Sequence, residues 1–212
     1  MNIVIQAVKC RKTMVDKLVE RIEAQGRQAE VFYDEKYIGP LWSMEQIFER
    51  YVGNGGILML QDDTILPKWF MREFQASMVD GQIMSYFRGI TNQQREFYDL
   101  GYSYATCDGV WGLANFYPDE FVLNYLKWAP ENQDRGKRFP DSKKLADDIA
   151  ITRFMRFSKV RAYLTLPNLV NHQESPSTVG NPRTVKGINR LSSLYGENLL
   201  RPWDKTKVAK LK

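Results

Sequence analysis

The stretch Ile57-Leu58-Met59-Leu60-Gln61-Asp62-Asp63 joins four consecutive apolar residues to an acidic turn. An apolar run this short, set off by Asn54-Gly55-Gly56 on its other side, reads as a strand buried on both faces. Strands of that kind belong to sheets covered by helices. Working backward, residues 2–8 read as another buried strand. A helix is expected over about residues 13–25, where Met14, Leu18 and Ile22 recur at helical spacing and Gly26 stops it. Glu30-Val31-Phe32-Tyr33 reads as a second strand ending on Asp34, and Ser43 with Gln46 has capping-box spacing for a helix to about Val52. Strand, helix, strand, helix, strand predicts an α/β sheet with ligands outside the carboxyl ends of its strands. Asp34, Asp62 and Asp63 all fall at that edge.

Beyond Asp63 the pattern predicts a helix over 68–79, a strand over 82–87, a loop over 92–100 and a strand over 109–114. Pro118 suits the first turn of a helix through Trp128. Residues 134–140 read as a loop, and Asp141 or Ser142 can cap a helix over about 143–157. A strand over 161–166 is closed by Pro167, and after His172 the chain is rich in Ser, Pro, Gly and Asn. No G-x-G-x-x-G follows the first strand and no G-x-x-x-x-G-K-[ST] occurs, which argues against a dinucleotide-binding domain and a P-loop kinase.

The 212 residues suffice for one good-sized domain, and 43% hydrophobic with 26% charged content is ordinary for a globular chain. Cys10 and Cys107 are too few for a disulfide scaffold and read as free thiols in a reducing compartment. No basic segment with a long apolar run precedes the first strand, and no apolar run is long enough to span a membrane. A cytoplasmic protein without integral membrane association is therefore expected. The net charge of +5 and pI of about 9.1 favour anionic partners. That excess concentrates in residues 183–212, a basic C-terminal extension that includes Arg183, Lys186, Arg190 and Arg201.

Adjacent carboxylates at the end of a buried strand repel each other and need a counter-charge. Mg²⁺ or Mn²⁺ prefers oxygen ligands and commonly joins one or two carboxylates to substrate phosphates. His172, the only histidine, follows a strand. Asp147-Asp148 falls on an apolar helix, about 100° apart around it, so at most one can point squarely into a pocket.

In order along the chain, these features resemble the small glycosyltransferases of the GT-A fold. The resemblance rests on the β-α-β-α-β start and on Leu60-Gln61-Asp62-Asp63-Thr64-Ile65-Leu66 at the place of their Asp-x-Asp motif. It continues with Gly109-Val110-Trp111-Gly112 and Tyr117-Pro118, Ala146-Asp147-Asp148, and Pro167-Asn168-Leu169-Val170-Asn171-His172. It covers residues 1–182, with 1–66 as the nucleotide-binding half and 67–182 as the acceptor-side half. It implies a Rossmann-type mixed sheet flanked by helices in a single compact domain. It further implies a hexosyl- or pentosyltransferase using a nucleoside-diphosphate-sugar donor and Mn²⁺ or Mg²⁺. Asp34 would contact the base or ribose, Asp62 the ribose or a metal-bound water, and Asp63 the metal. His172 would be a second metal ligand or a diphosphate contact, and Asp148 the general base of an inverting displacement. Trp111, Gly112, Asp147 and Lys186 would meet acceptor or phosphate, with Arg153 or Arg156 as further phosphate contacts. Gln61 departs from the family's acidic first position and leaves fewer charges for the metal.

The basic extension and the tryptophans Trp42, Trp69, Trp128 and Trp203, read as exposed, suggest a DNA acceptor, a hydroxymethylated pyrimidine of phage DNA. The alternatives are a saccharide or lipopolysaccharide acceptor, and an inactive nucleotide- or DNA-binding module.

Overall fold

The structure, a computed structural model, describes residues 1–88, 92–132, 146–173 and 202–211. Its centre is the pair β1 (Asn2–Ala7) and β3 (Ile57–Gln61), parallel to each other, with β2 (Glu30–Tyr33) parallel on the far side of β1. Parallel neighbours need crossovers. Helices α1 (Lys12–Glu23) and α2 (Pro40–Tyr51) supply them.

Side chains alternate across a strand, so the two central strands feed two cores. Ile3, Ile5, Leu58 and Leu60 pack with Val15, Leu18 and Ile22 of α1 and with Phe70 and Phe74 of α3 (Phe70–Ser77). Val4 and Met59 pack on the other face with Met44, Ile47 and Phe48 of α2. That face is completed by Val122 and Tyr125 of α5 (Asp119–Asn132) and Ile151 and Phe154 of α6 (Asp147–Ser158). The result is a sheet between two helical layers.

The sheet is mixed, in the order β10-β6-β8-β5-β7-β3-β1-β2. Its other members are β5 (Met84–Ser85), β6 (Tyr104–Cys107), β7 (Ala114–Tyr117), β8 (Ala162–Thr165) and β10 (Val208–Lys210). β7 runs antiparallel to both β3 and β5, while β5 and β8 are parallel. The carboxyl ends of β1, β2, β3, β5 and β8 therefore share one edge with the amino end of β7. β10 pairs with β6, so residues 208–210, within the stretch read as a basic extension, form a strand of the main sheet. A separate ladder joins β4 (Thr64–Ile65) to β9 (Asn171–His172). The expected class, an α/β mixed sheet flanked by helices, is the observed one.

Several local expectations are corrected. The capping box at Ser43 is not used: α2 begins at Pro40 behind Gly39 (φ 135°), and the Ser43 hydroxyl donates back to the Gly39 carbonyl. Residues 92–100 are not a loop but α4 (Asn92–Asp99), anchored by Phe97 and Tyr98 against the α2-side core. The strand expected over 109–114 starts only at Ala114, where pairing with β3 begins, and runs on to Tyr117. The helix expected from about residue 143 has its N-cap at Ala146. The loop over 134–140 and the caps Asp141 and Ser142 lie outside the described residues.

Candidate functional site

The carboxyl edge of the sheet gathers the predicted acids. Asp62 follows β3, and its backbone N–H donates to the Gln6 carbonyl of β1. Its carboxylate accepts the Val8 N–H at 3.1 Å and a guanidinium N–H of Arg11 at 2.5 Å. Arg11 closes a short 3-10 turn, Lys9–Arg11, just after β1. The same Arg11 nitrogen donates to Asp63 at 2.9 Å, so one cation bridges both carboxylates. All three side chains are largely buried.

His172 reaches this cluster through the β4–β9 ladder. Thr64 pairs with His172, and the Gln173 N–H donates to the Asp63 carbonyl. His172 Nε2 then lies 3.4 Å from Asp63 Oδ2. Burial raises the Asp63 carboxyl, but His172 and then Arg11 outweigh it and hold it below its ordinary value. Asp62 has no imidazole beside it. Burial dominates there, and its carboxyl is raised despite Arg11. Asp63 is thus the better-held anion of the pair.

On the other side, Gln61 Nε2 donates to Asp147 Oδ2 at 3.4 Å, joining β3 to the first turn of α6. Asp147 also accepts the N–H of Asp148 at 2.9 Å. Burial, then the neighbouring Asp148, push the Asp147 carboxyl up to about 7. Asp148 itself is half-buried. Gly112 fits closely here: a Cβ on it would sit 2.4 Å from Gln61 Nε2 and 3.1 Å from Asp147 Oδ1. Trp111, 38% exposed, contacts Phe87, which in turn lies beside His172.

Asp34 is at the same edge, but its two oxygens accept the N–H groups of Ile38 and Gly39 at 3.0 and 2.7 Å, and it is buried. It shapes the loop entering α2. Lys186 lies outside the described residues, as do Arg183, Arg190 and Arg201. The four tryptophans read as exposed are not. Trp69 is buried, and Trp42 and Trp128 are half-buried against Phe32 and Phe154 respectively. Trp203 packs on Tyr104 and donates to Glu73. Arg11 and the Gln61–Asp147 contact were not anticipated from sequence. A cation soon after a buried strand, at the edge that carries two acids, is the signal that could have found the first.

The donors suit a hard divalent cation in part. Asp63 Oδ1 is buried without a hydrogen-bond partner, and the imidazole nitrogen of His172 is close. Among the described residues no three His, Cys, Asp or Glu side chains form a metal cluster. A cation here would need phosphate oxygens to complete its shell, as Mg²⁺ commonly does. A cavity of about 620 Å³ between α5 and α6, lined by Phe121, Trp128, Phe154 and Phe157, includes none of these residues. It lies at the opposite edge, where Pro118 follows β7.

No protein-family model and no curated protein matches the chain. Among solved structures it is similar to the crystal structure of A197 from STIV, at 12% identity and TM-score 0.45, covering 84% of this chain and 97% of that one. It is also similar to a glycosyltransferase involved in the glycosylation of the major capsid of PBCV-1. That match has 13% identity and TM-score 0.34, covering 78% of this chain and 93% of the other. At these values neither likeness carries an activity over.

Proposed function

We propose that this chain is a glycosyltransferase that moves a sugar from a nucleoside-diphosphate-sugar to an acceptor hydroxyl. One observation carries the reading. The strand order, the β4–β9 ladder and the Gln61–Asp147 contact bring Asp62, Asp63, His172, Asp147 and Asp148 to a single sheet edge. Such edges are where open α/β sheets bind ligands.

Asp63 and His172 are the residues to hold Mn²⁺ or Mg²⁺. The cation, when bound, supplies Lewis-acid stabilisation of charge on a leaving diphosphate. Asp62 fixes the turn through Val8 and Arg11. Asp34 holds the loop over 37–39 in the shape that meets the nucleoside. Asp148, half-buried at the start of α6, takes the proton of the attacking hydroxyl in an inverting displacement. Asp147, buried and lifted to about 7, stays beside it as a largely neutral neighbour below that pH. No helix among the described residues is long and apolar enough to cross a membrane, so this chemistry is proposed without a membrane span.

The acceptor proposed from charge is a hydroxymethylated pyrimidine in DNA, supported by the net charge of +5. The exposed Trp111 beside the acids favours a second reading, a saccharide acceptor, whose ring can stack on the indole. Transfer of labelled sugar from a panel of nucleotide-sugars to hydroxymethylated DNA and to oligosaccharides, with and without Mn²⁺, tests both. Release of no nucleoside diphosphate from any donor would leave an inactive binding module instead.

A further inference from the structure

The cavity between α5 and α6 takes no part in the acidic edge, and its two walls differ in chemistry. On one wall Phe121, Phe154, Trp128 and Phe157 form a continuous chain of ring contacts. Their centroids are 5.2, 5.3 and 5.9 Å apart, with successive planes tilted by 53°, 39° and 39°. Phe121 and Phe154 are buried, Trp128 is half-buried and Phe157 is 66% exposed. Along the lip, Glu120, Asn124, Lys127 and Glu131 fall at helical spacing on α5, and all four are exposed. Between Glu120 and Glu131 the helix rises about 16 Å, so the cavity is an elongated groove. Its volume of about 620 Å³ suits a small-molecule ligand.

The lining decides what class of ligand fits. A wholly apolar ligand would take the lip out of water and give it no partner. Two carboxylates and one ammonium put both signs on the lip, so a strongly charged ligand of either sign meets repulsion. A neutral ligand with apolar ring faces and a hydroxyl edge satisfies both walls. Its faces lie on the rings, and its hydroxyls bond to amide, carboxylate and ammonium groups. We propose that this groove binds a neutral oligosaccharide, with sugar rings against Trp128 and Phe157 and hydroxyls on Asn124, Lys127 and Glu131. The length of the lip favours several linked sugar rings over one. The site goes beyond the proposed transfer reaction and shares no residue with it.

The test is calorimetric titration of the full chain with cello-, malto-, chito-, manno- and xylo-oligosaccharides. Uridine, tetramethylammonium and inorganic phosphate serve as comparison ligands. At least one oligosaccharide is expected to bind, and to bind more tightly as its chain lengthens. Phe157→Ala, at an exposed position, is expected to weaken that binding about tenfold with an unchanged melting temperature. Asn124→Ala is expected to weaken it several-fold. The Trp128 indole N–H resonance, assigned with Trp128→Phe, is expected to shift on binding. Binding of none of the oligosaccharides overturns the proposal, as does preference for a comparison ligand. Binding that survives Phe157→Ala but is lost in Trp111→Ala places the sugar at the acidic edge and also overturns it. Concentration-dependent self-association that disappears in Phe157→Ala would assign the groove to a second copy of the chain instead. Failure of sugar transfer with groove binding intact would remove the glycosyltransferase reading and leave this site standing.

Discussion

Gln61 Nε2 donates to Asp147 Oδ2 across 3.4 Å, tying the end of β3 to the first turn of α6. An amide suits this place because the acceptor is a buried carboxyl with a second acid next to it in sequence. Gln61→Glu would set a second carboxylate against Asp147. It is expected to cost about 1–3 kcal/mol at pH 8 and less near pH 5, where Asp147 holds its proton. Urea unfolding at the two pH values measures this, and equal losses would reject the contact.

Asp147 keeps its proton up to about pH 7, well above a free aspartate. The folded chain therefore binds more protons than the unfolded one between those limits. Stability from this group falls as pH rises through that window and is flat above it. Asp147→Asn carries no such dependence. Its melting temperature relative to wild type is expected to rise by several degrees between about pH 4 and pH 8, since ~1 kcal/mol moves a domain this size by roughly 2–4 °C. A constant difference across pH would contradict the buried proton.

Asp148→Asn is expected to lower kcat by about 10²–10⁴-fold with little change in donor KM, the signature of a lost general base. Steady-state sugar transfer measures it. Full turnover in this variant would remove the base assignment and make a retaining mechanism more attractive.

Asp63→Ala removes the acid held by both His172 and Arg11. Sugar transfer is expected to drop at least about 100-fold, with Mn²⁺ dependence lost. Retained, Mn²⁺-stimulated turnover would place the cation elsewhere.

Trp111 is exposed beside the acids, whereas Gly112 is closed in by Gln61 and Asp147. Trp111→Ala is expected to raise acceptor KM several-fold and leave the melting temperature within a degree or so. Gly112→Ala is expected to cost about 1–3 kcal/mol by pushing Gln61 away from Asp147. The reverse pattern would mean that Trp111 is structural and Gly112 open to ligand.

Much of the first half was legible because its signals are local. Ile3, Val4 and Ile5, and Ile57 to Leu60, are apolar on both faces, and Val15, Leu18 and Ile22 fall on one helical stripe. The short, polar helix α4 hid because, among the described residues, the apolar side chains it packs on the core are those of Phe97 and Tyr98. Residues 109–113 misled because an apolar run becomes strand only where a partner offers its ladder, and β3 does so from Ala114. The tryptophans misled because burial is a property of what surrounds a ring.

The sequence by itself determined the alternating elements, the buried strand that ends in Asp62-Asp63, and the candidate acids along the chain, since periodicity and turn chemistry act over a few residues. Only the tertiary structure decided that His172 meets Asp63 through the β4–β9 ladder and that Gln61 holds Asp147. It also decided that Arg11 bridges the two acids of the turn. Those contacts join residues far apart in the chain. Which charge meets which is settled by strand order and register, and these depend on the packing of the whole sheet.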